Sequence, residues 1–232
     1  MSARQMTFLG HLEELRRRIL ICLAVWLAGS AVCWPHAATL LSWLLKPLGR
    51  PAIFLGPAEG FMVVLKVAMA GGVAVASPVI TWQVLAFVAP ALRKREKRAL
   101  MILAGSGSVA FLIGAWFGWR LLLPAMMSFL MSFASDVLQP TIVADRYLSF
   151  VLYILLGCAA AFEFPVLSAV LAKAGLLKAR SLLRHWRPAI LVCFIAAAVI
   201  TPSPDAFTMI MVALPLVALY AVGVVTAAVA GR

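Results

Sequence analysis

Six apolar stretches, roughly 18–36, 61–86, 99–124, 147–173, 188–201 and 207–229, take up most of this chain and leave short connecting segments between them. Lipid offers no hydrogen bonds, so a backbone that enters it must satisfy its own N–H and C=O groups, as an α-helix does within one segment. The expected fold is an all-α integral membrane protein: one polytopic domain over residues 1–232 with six transmembrane helices. A water-soluble fold fails on composition, because 65% of the 232 residues are hydrophobic and 12% charged, where soluble domains average about 45–50% and about 25%.

Orientation is written in the connecting segments. The formal net charge is +12, from 20 Lys and Arg against 8 Asp and Glu. These bases cluster between the spans, which points to anionic lipid and the positive-inside rule and away from nucleic acid. Fifteen of the 20 fall at residues 4–18, 93–98, 173–187 and 232, all on one side of a six-span topology; Lys46, Arg50, Lys66, Arg120 and Arg146 are the rest. The base-rich side is cytoplasmic, and six spans put both termini there. An arginine-rich start followed by ILICLAVWLAGSAV has the look of a signal peptide, but further spans follow and no small-x-small cleavage site stands out, so it reads as a retained first helix. On the opposite side, residues 37–60, with the amphipathic LLSWLLKPLGRPAIFLGP, and residues 125–146 are expected to form an outer cap, whereas 202–206 is a bare turn.

The fifth stretch is short. Fourteen residues from Pro188 to Thr201 rise about 21 Å, against a hydrocarbon core of about 30 Å. Two readings are open: the helix thins the bilayer locally, or it continues into RHWR, whose Trp186 and arginines snorkel to the interface. Prolines at 78, 165 and 215 each remove a backbone donor, so kinks are expected in the second, fourth and sixth helices. Kinked helices build a concave bundle.

A charge at the centre of an inserted helix costs about 2.5–3.5 kcal/mol on insertion scales. Two acids nevertheless stand in apolar surroundings: Glu163 inside YLSFVLYILLGCAAAFEFPVLSAVLA, and Asp205 in the break TPSPD. Function is one expectation for both. For Glu163 the competing reading is a hydrogen bond to backbone freed by Pro165; for Asp205 it is a cap on the sixth helix. Enzymatic chemistry has no candidate site, since no nucleotide loop, nucleophile elbow or HExxH pair occurs and the histidines are scattered. The four cysteines lie in or beside apolar runs without CxxC or Cys/His spacing, so they read as packing residues and no metal or cofactor is expected.

The most specific words lie on the basic side: HLEELRRR at His11–Arg18 and APALRKREKR at Ala89–Arg98. With them come PxExF at Pro57–Phe61, SPVITWQVLAFVAPAL at 77–92, FxxGxxF at Phe111–Phe117, YLSFV at 147–151, FExP at Phe162–Pro165, RPAILVCFIAAAVITPSPD at 187–205, and Pro215 followed by LYxxG at 219–223. In order, spacing and placement these words resemble the TatC family, the multispanning subunit of the twin-arginine protein translocase.

The resemblance implies a receptor in a bacterial cytoplasmic (inner) membrane. It would bind the twin-arginine signal peptides of folded cargo, work with single-span TatA-type and TatB-type subunits in an oligomeric complex, and use the proton-motive force. Glu14 and Glu96 match the family's acidic recognition positions, and Arg16 and Phe87 match further positions on the same surface. Two carboxylates suit paired arginines, since each guanidinium can make a bidentate, charge-assisted pair that lysine cannot reproduce. Glu163 matches the acid of the fourth span, which the family is taken to turn toward its signal peptide and partner helices, with Thr201 and Asp205 near the outer ends of the last two helices. Two departures stand in the last span: Met209 where the family commonly has glutamine, and Ala221 where it often has an acid. The alternative function is a proton-coupled small-solute transporter with Glu163 as its titrating group. That function predicts paired broken helices and an internal repeat, and the sequence offers neither.

Overall fold

A computed structural model describes residues 8–49, 51–88, 97–133, 141–201 and 205–231. Ten α-helices form in these residues: α1 (Phe8–Cys33), α2 (Ala37–Leu45), α3 (Pro57–Val88), α4 (Lys97–Phe117), α5 (Leu123–Ser132), α6 (Ala144–Phe162), α7 (Phe164–Lys173), α8 (Ala179–Arg184), α9 (Trp186–Ile200) and α10 (Ala206–Ala230). Five helical stretches are long and apolar enough to cross a membrane: Gly10–Leu48, Pro57–Phe87, Gly105–Ser132, Ala144–Lys173 and Ala206–Ala230. The fifth apolar stretch forms a shorter helix, Trp186–Ile200. It takes in Trp186 and Arg187 of RHWR and no more of it, because the chain breaks at His185 and α8 ends at Arg184. Its 15 residues rise only about 22 Å.

The helices end where the local chemistry ends them. Pro78 and Pro215 sit inside the unbroken helices α3 and α10. The fourth stretch instead divides at Glu163, which closes α6 and opens α7, with Pro165 in the first turn of α7, where its missing N–H costs nothing. The third stretch loosens into one π-turn, Gly118–Leu122, immediately before α5, whose first turn carries Pro124; a wider turn absorbs the i−4 partner that proline cannot bond.

α3 runs against α1, α4 and α6, and α10 against α7 and α9. The centre is filled by Val67, Leu123, Met126, Leu148, Val151 and Ile154, each at most 1% exposed. Large apolar side chains also cover the outside, with Val199 on α9 77% exposed and Val229 on α10 70% exposed. Water would not tolerate so much apolar surface, and lipid does. Glycines set the closest helix crossings: a Cβ on Gly114 would lie 2.6 Å from the Cys158 carbonyl oxygen and 2.9 Å from Ala159 Cα, so α4 meets α6 backbone to backbone.

The two connecting segments expected to form an outer cap meet each other near α2. Ile53 N–H donates to Ile142 O at 3.0 Å and Ala144 N–H to Ile53 O at 2.7 Å, a parallel bridge between the two connecting segments. Tyr147 Oη donates to Leu44 O at 3.0 Å. Lys66 Nζ pairs with Asp145 Oδ1 at 2.5 Å and donates to Ser149 Oγ at 3.1 Å.

Candidate functional site

The last turns of α3 carry the polar contacts of both Glu14, through Arg18, and Glu163. From Thr81 to Phe87 the helix advances about 9 Å, and within that length it meets Glu163 at one end and the start of α1 at the other.

At the α1 end, Glu14 and Arg18 lie one turn apart on the same face, as the i, i+4 spacing dictates. Arg18 donates to Glu14 Oε1 from Nη2 at 2.5 Å and from Nε at 3.0 Å. Its other nitrogen, Nη1, donates to Gln83 Oε1 at 2.9 Å, and Nη2 also reaches Ala86 O at 3.2 Å. One arginine thus fixes the carboxylate and staples α1 to α3. The second oxygen of Glu14, Oε2, is buried and has no hydrogen-bond partner among the described residues. Beside it His11 stacks on Phe87, with ring centroids 4.5 Å apart and planes at 20°. Phe87 is therefore in this cluster. Arg16 is exposed and projects from a different side of α1, two residues on from Glu14. Glu96 lies outside the described residues.

At the other end of the platform, Thr81 Oγ1 donates to Glu163 Oε1 at 2.5 Å. A buried hydroxyl on α3 is the partner of the intramembrane acid. Glu163 is half-buried and lines a cavity of 180 Å³ with Thr81, Val84, Leu85, Gly107 and Val166. Just below the break, Ser168 Oγ donates to Gly223 O at 2.9 Å, and Thr226 Oγ1 donates to Pro165 O at 2.8 Å. Backbone carbonyls near the break thereby find hydroxyl donors and tie α7 to α10.

Thr201 and Asp205 have local roles in the structure. Thr201 is buried, ends α9 and donates from Oγ1 to Ala197 O at 2.8 Å. Asp205 caps α10: Oδ1 accepts from Thr208 N–H at 2.7 Å and Oδ2 from Thr208 Oγ1 at 2.6 Å. Met209 is half-buried and Ala221 exposed on the same helix. No group of three or more His, Cys, Asp or Glu gathers closely enough to hold a metal ion among the described residues.

Against known families, the model described as Sec-independent protein translocase protein (TatC) matches residues 10–215. This chain belongs to the TatC family. The TatC protein of Helicobacter pylori (strain ATCC 700392 / 26695) is 38% identical over 217 residues, 94% of this chain and 85% of that one. In Synechocystis the figure is 35% over 221 residues, and in the chloroplastic protein of Arabidopsis thaliana 33% over 234. Among solved structures, the crystal structure of the twin-arginine translocase receptor TatC superimposes with a TM-score of 0.84 at 33% identity, covering 96% of this chain and 100% of that one. The chain is thus a multi-pass membrane protein and a non-enzymatic translocase component.

Sequence reasoning passed over four residues of the site, Arg18, His11, Gln83 and Thr81. Arg18 was legible, four places after Glu14. His11 was one scattered histidine among three, and Thr81 had no signal at all, since only the packing of α3 on the α6–α7 break brings it to Glu163.

Proposed function

We propose that this TatC protein is the receptor core of a twin-arginine (Sec-independent) translocase in a bacterial cytoplasmic (inner) membrane. It crosses the membrane six times, through α1, α3, α4–α5, α6–α7, α9 and α10, with both termini cytoplasmic. It binds the twin-arginine signal peptides of folded cargo, gathers single-span TatA-type and TatB-type subunits into an oligomeric complex, and moves cargo with the proton-motive force.

The unpartnered Oε2 of Glu14 is the observation that carries this reading. A buried acceptor left unsatisfied costs about 1–3 kcal/mol, more when charged, and an incoming guanidinium removes that cost with a charge-assisted bond. Arg18 keeps Oε1 in place, so the carboxylate meets its guest already oriented. Glu96 takes the second arginine. The apolar part of the signal peptide then runs along α3 toward Thr81 and Glu163, about 9 Å further on, where the 180 Å³ cavity receives a side chain. Glu163 offers its carboxyl to polar groups on the approaching helices, and Thr201 and Asp205 frame the outer end of the last two spans.

The test is site-specific photo-crosslinking of a twin-arginine signal peptide to membranes carrying this protein. Glu14→Lys and Glu96→Lys each abolish the adduct, and Glu14→Gln weakens it by about tenfold or more, the loss of one charge-assisted bond. Undiminished crosslinking in Glu14→Lys would sink the assignment.

A further inference from the structure

Another concavity, lined by neither Glu14 nor Glu163, lies between α2, α3, α4 and α6. It is a groove of 460 Å³ lined almost entirely by apolar side chains, among them Leu40, Ala74, Phe111, Leu156 and the indoles of Trp43 and Trp119. An apolar trough between helix faces suits an aliphatic chain, and the groups at its end decide what that chain must carry.

Two polar features mark one end of this groove. Lys46 Nζ sits 4.8 Å from the centroid of the Trp43 ring, and Trp43 stacks on Trp119 with centroids 6.3 Å apart. Lys46 is exposed and has no anionic partner among the described residues. Trp119 Nε1 is buried and unpartnered among the same residues, an orphan donor that calls for an acceptor. A cation, then an unsatisfied N–H, then an apolar trough repeats the order of phosphate, glycerol ester and acyl chain in a phospholipid entering a leaflet.

We propose that this groove seats one anionic phospholipid: its phosphate against Lys46, an ester carbonyl accepting from Trp119 Nε1, and one acyl chain between α3, α4 and α6. The site lies at the capped end of the bundle, where Lys46 follows α2, and is independent of the signal-peptide reading. Headgroup charge supplies the selectivity, and the indole pair fixes the depth.

Native mass spectrometry of the detergent-purified full chain, titrated with phosphatidylglycerol or phosphatidylcholine of matched chains, tests it. One phosphatidylglycerol is retained per protein and phosphatidylcholine is not. Lys46→Gln weakens retention about fivefold, the contribution of one basic residue near an anionic lipid. Trp119→Phe, which keeps the ring and removes the donor, weakens it further, and Ala74→Trp fills the groove and abolishes it. Phosphatidylglycerol with brominated chains quenches the tryptophan fluorescence of the wild type more strongly than that of Trp43→Phe/Trp116→Phe/Trp119→Phe, which lacks the three indoles of the groove. Equal retention of the two lipids, or retention unchanged in both Lys46→Gln and Ala74→Trp, overturns the proposal. Should Ala74→Trp misfold, the Lys46→Gln and Trp119→Phe pair decides alone.

Discussion

Thr81 is the residue on which the intramembrane acid depends. Its hydroxyl is the described donor to Glu163 Oε1, and removing it leaves a half-buried carboxyl without its partner, at a cost of about 1–3 kcal/mol. Thr81→Val is therefore expected to lower the midpoint of thermal unfolding in detergent by several degrees, with Thr81→Ser restoring most of it; a Val variant as stable as the parent would refute the bond's importance. Asp205 is tested the same way at the start of α10. Loss of an N-cap costs about 1 kcal/mol, so Asp205→Ala should speed hydrogen exchange over residues 206–210 severalfold and leave α9 unaffected. How much of this was legible differs by residue. Asp205 precedes its helix in sequence, so capping was one of two readings open from the start. Arg18 follows Glu14 by one turn. Thr81 and Glu163 are 82 positions apart, and no periodicity links two residues that only tertiary packing makes neighbours.

Among the elements, the crossing of α4 and α6 is set by the absence of a side chain. At Gly114 an added Cβ would meet the Cys158 carbonyl oxygen at 2.6 Å, whereas at Gly105, on the same helix, it would meet nothing within 4 Å. Gly114→Val should destabilise by about 1–3 kcal/mol through forced separation of the helices, and Gly105→Ala should be neutral or stabilising because alanine favours the helix. Thermal unfolding of the two variants side by side checks the contrast. Helix existence was readable from apolar run length, and the ends of the second and last helices fall within four residues of the sequence reading, Pro57–Val88 for 61–86 and Ala206–Ala230 for 207–229. The first helix was not so readable: it starts at Phe8, ten residues before the apolar run, because HLEELRRR is itself helical and packs on α3. Nor did the sequence separate α8 from α9, since the break at His185 lies between two residues, Arg184 and Trp186, neither of which breaks a helix.

For the whole molecule, the question is how a bundle with one short helix sits in a bilayer. α9 rises about 22 Å against a hydrocarbon core of about 30 Å, and the mismatch costs fractions of a kcal/mol for each ångström. Lipids with longer chains should therefore reduce cargo export in reconstituted vesicles, and insertion of four apolar residues in α9 should blunt that dependence; insensitivity of export to chain length would remove the short helix from the mechanism. Topology is tested in a cysteine-free background, with Lys178→Cys accessible to a membrane-impermeant thiol reagent only from the cytoplasm and Gly56→Cys only from outside. Labelling of both from one side would refute the three crossings between them.

The bridge between Ile53 and Val143 has a consequence in time. Its two strands of contact are separated by 90 residues of chain, and synthesis at about 5–20 residues per second places on the order of ten seconds between them. During that interval α1, α2 and α3 wait in the membrane with Leu44 O unclaimed by Tyr147 and Lys66 without Asp145. The cap is thus the last part of the first half to close, and a nascent chain stalled before residue 143 would expose to quality control a lysine that the finished protein keeps paired.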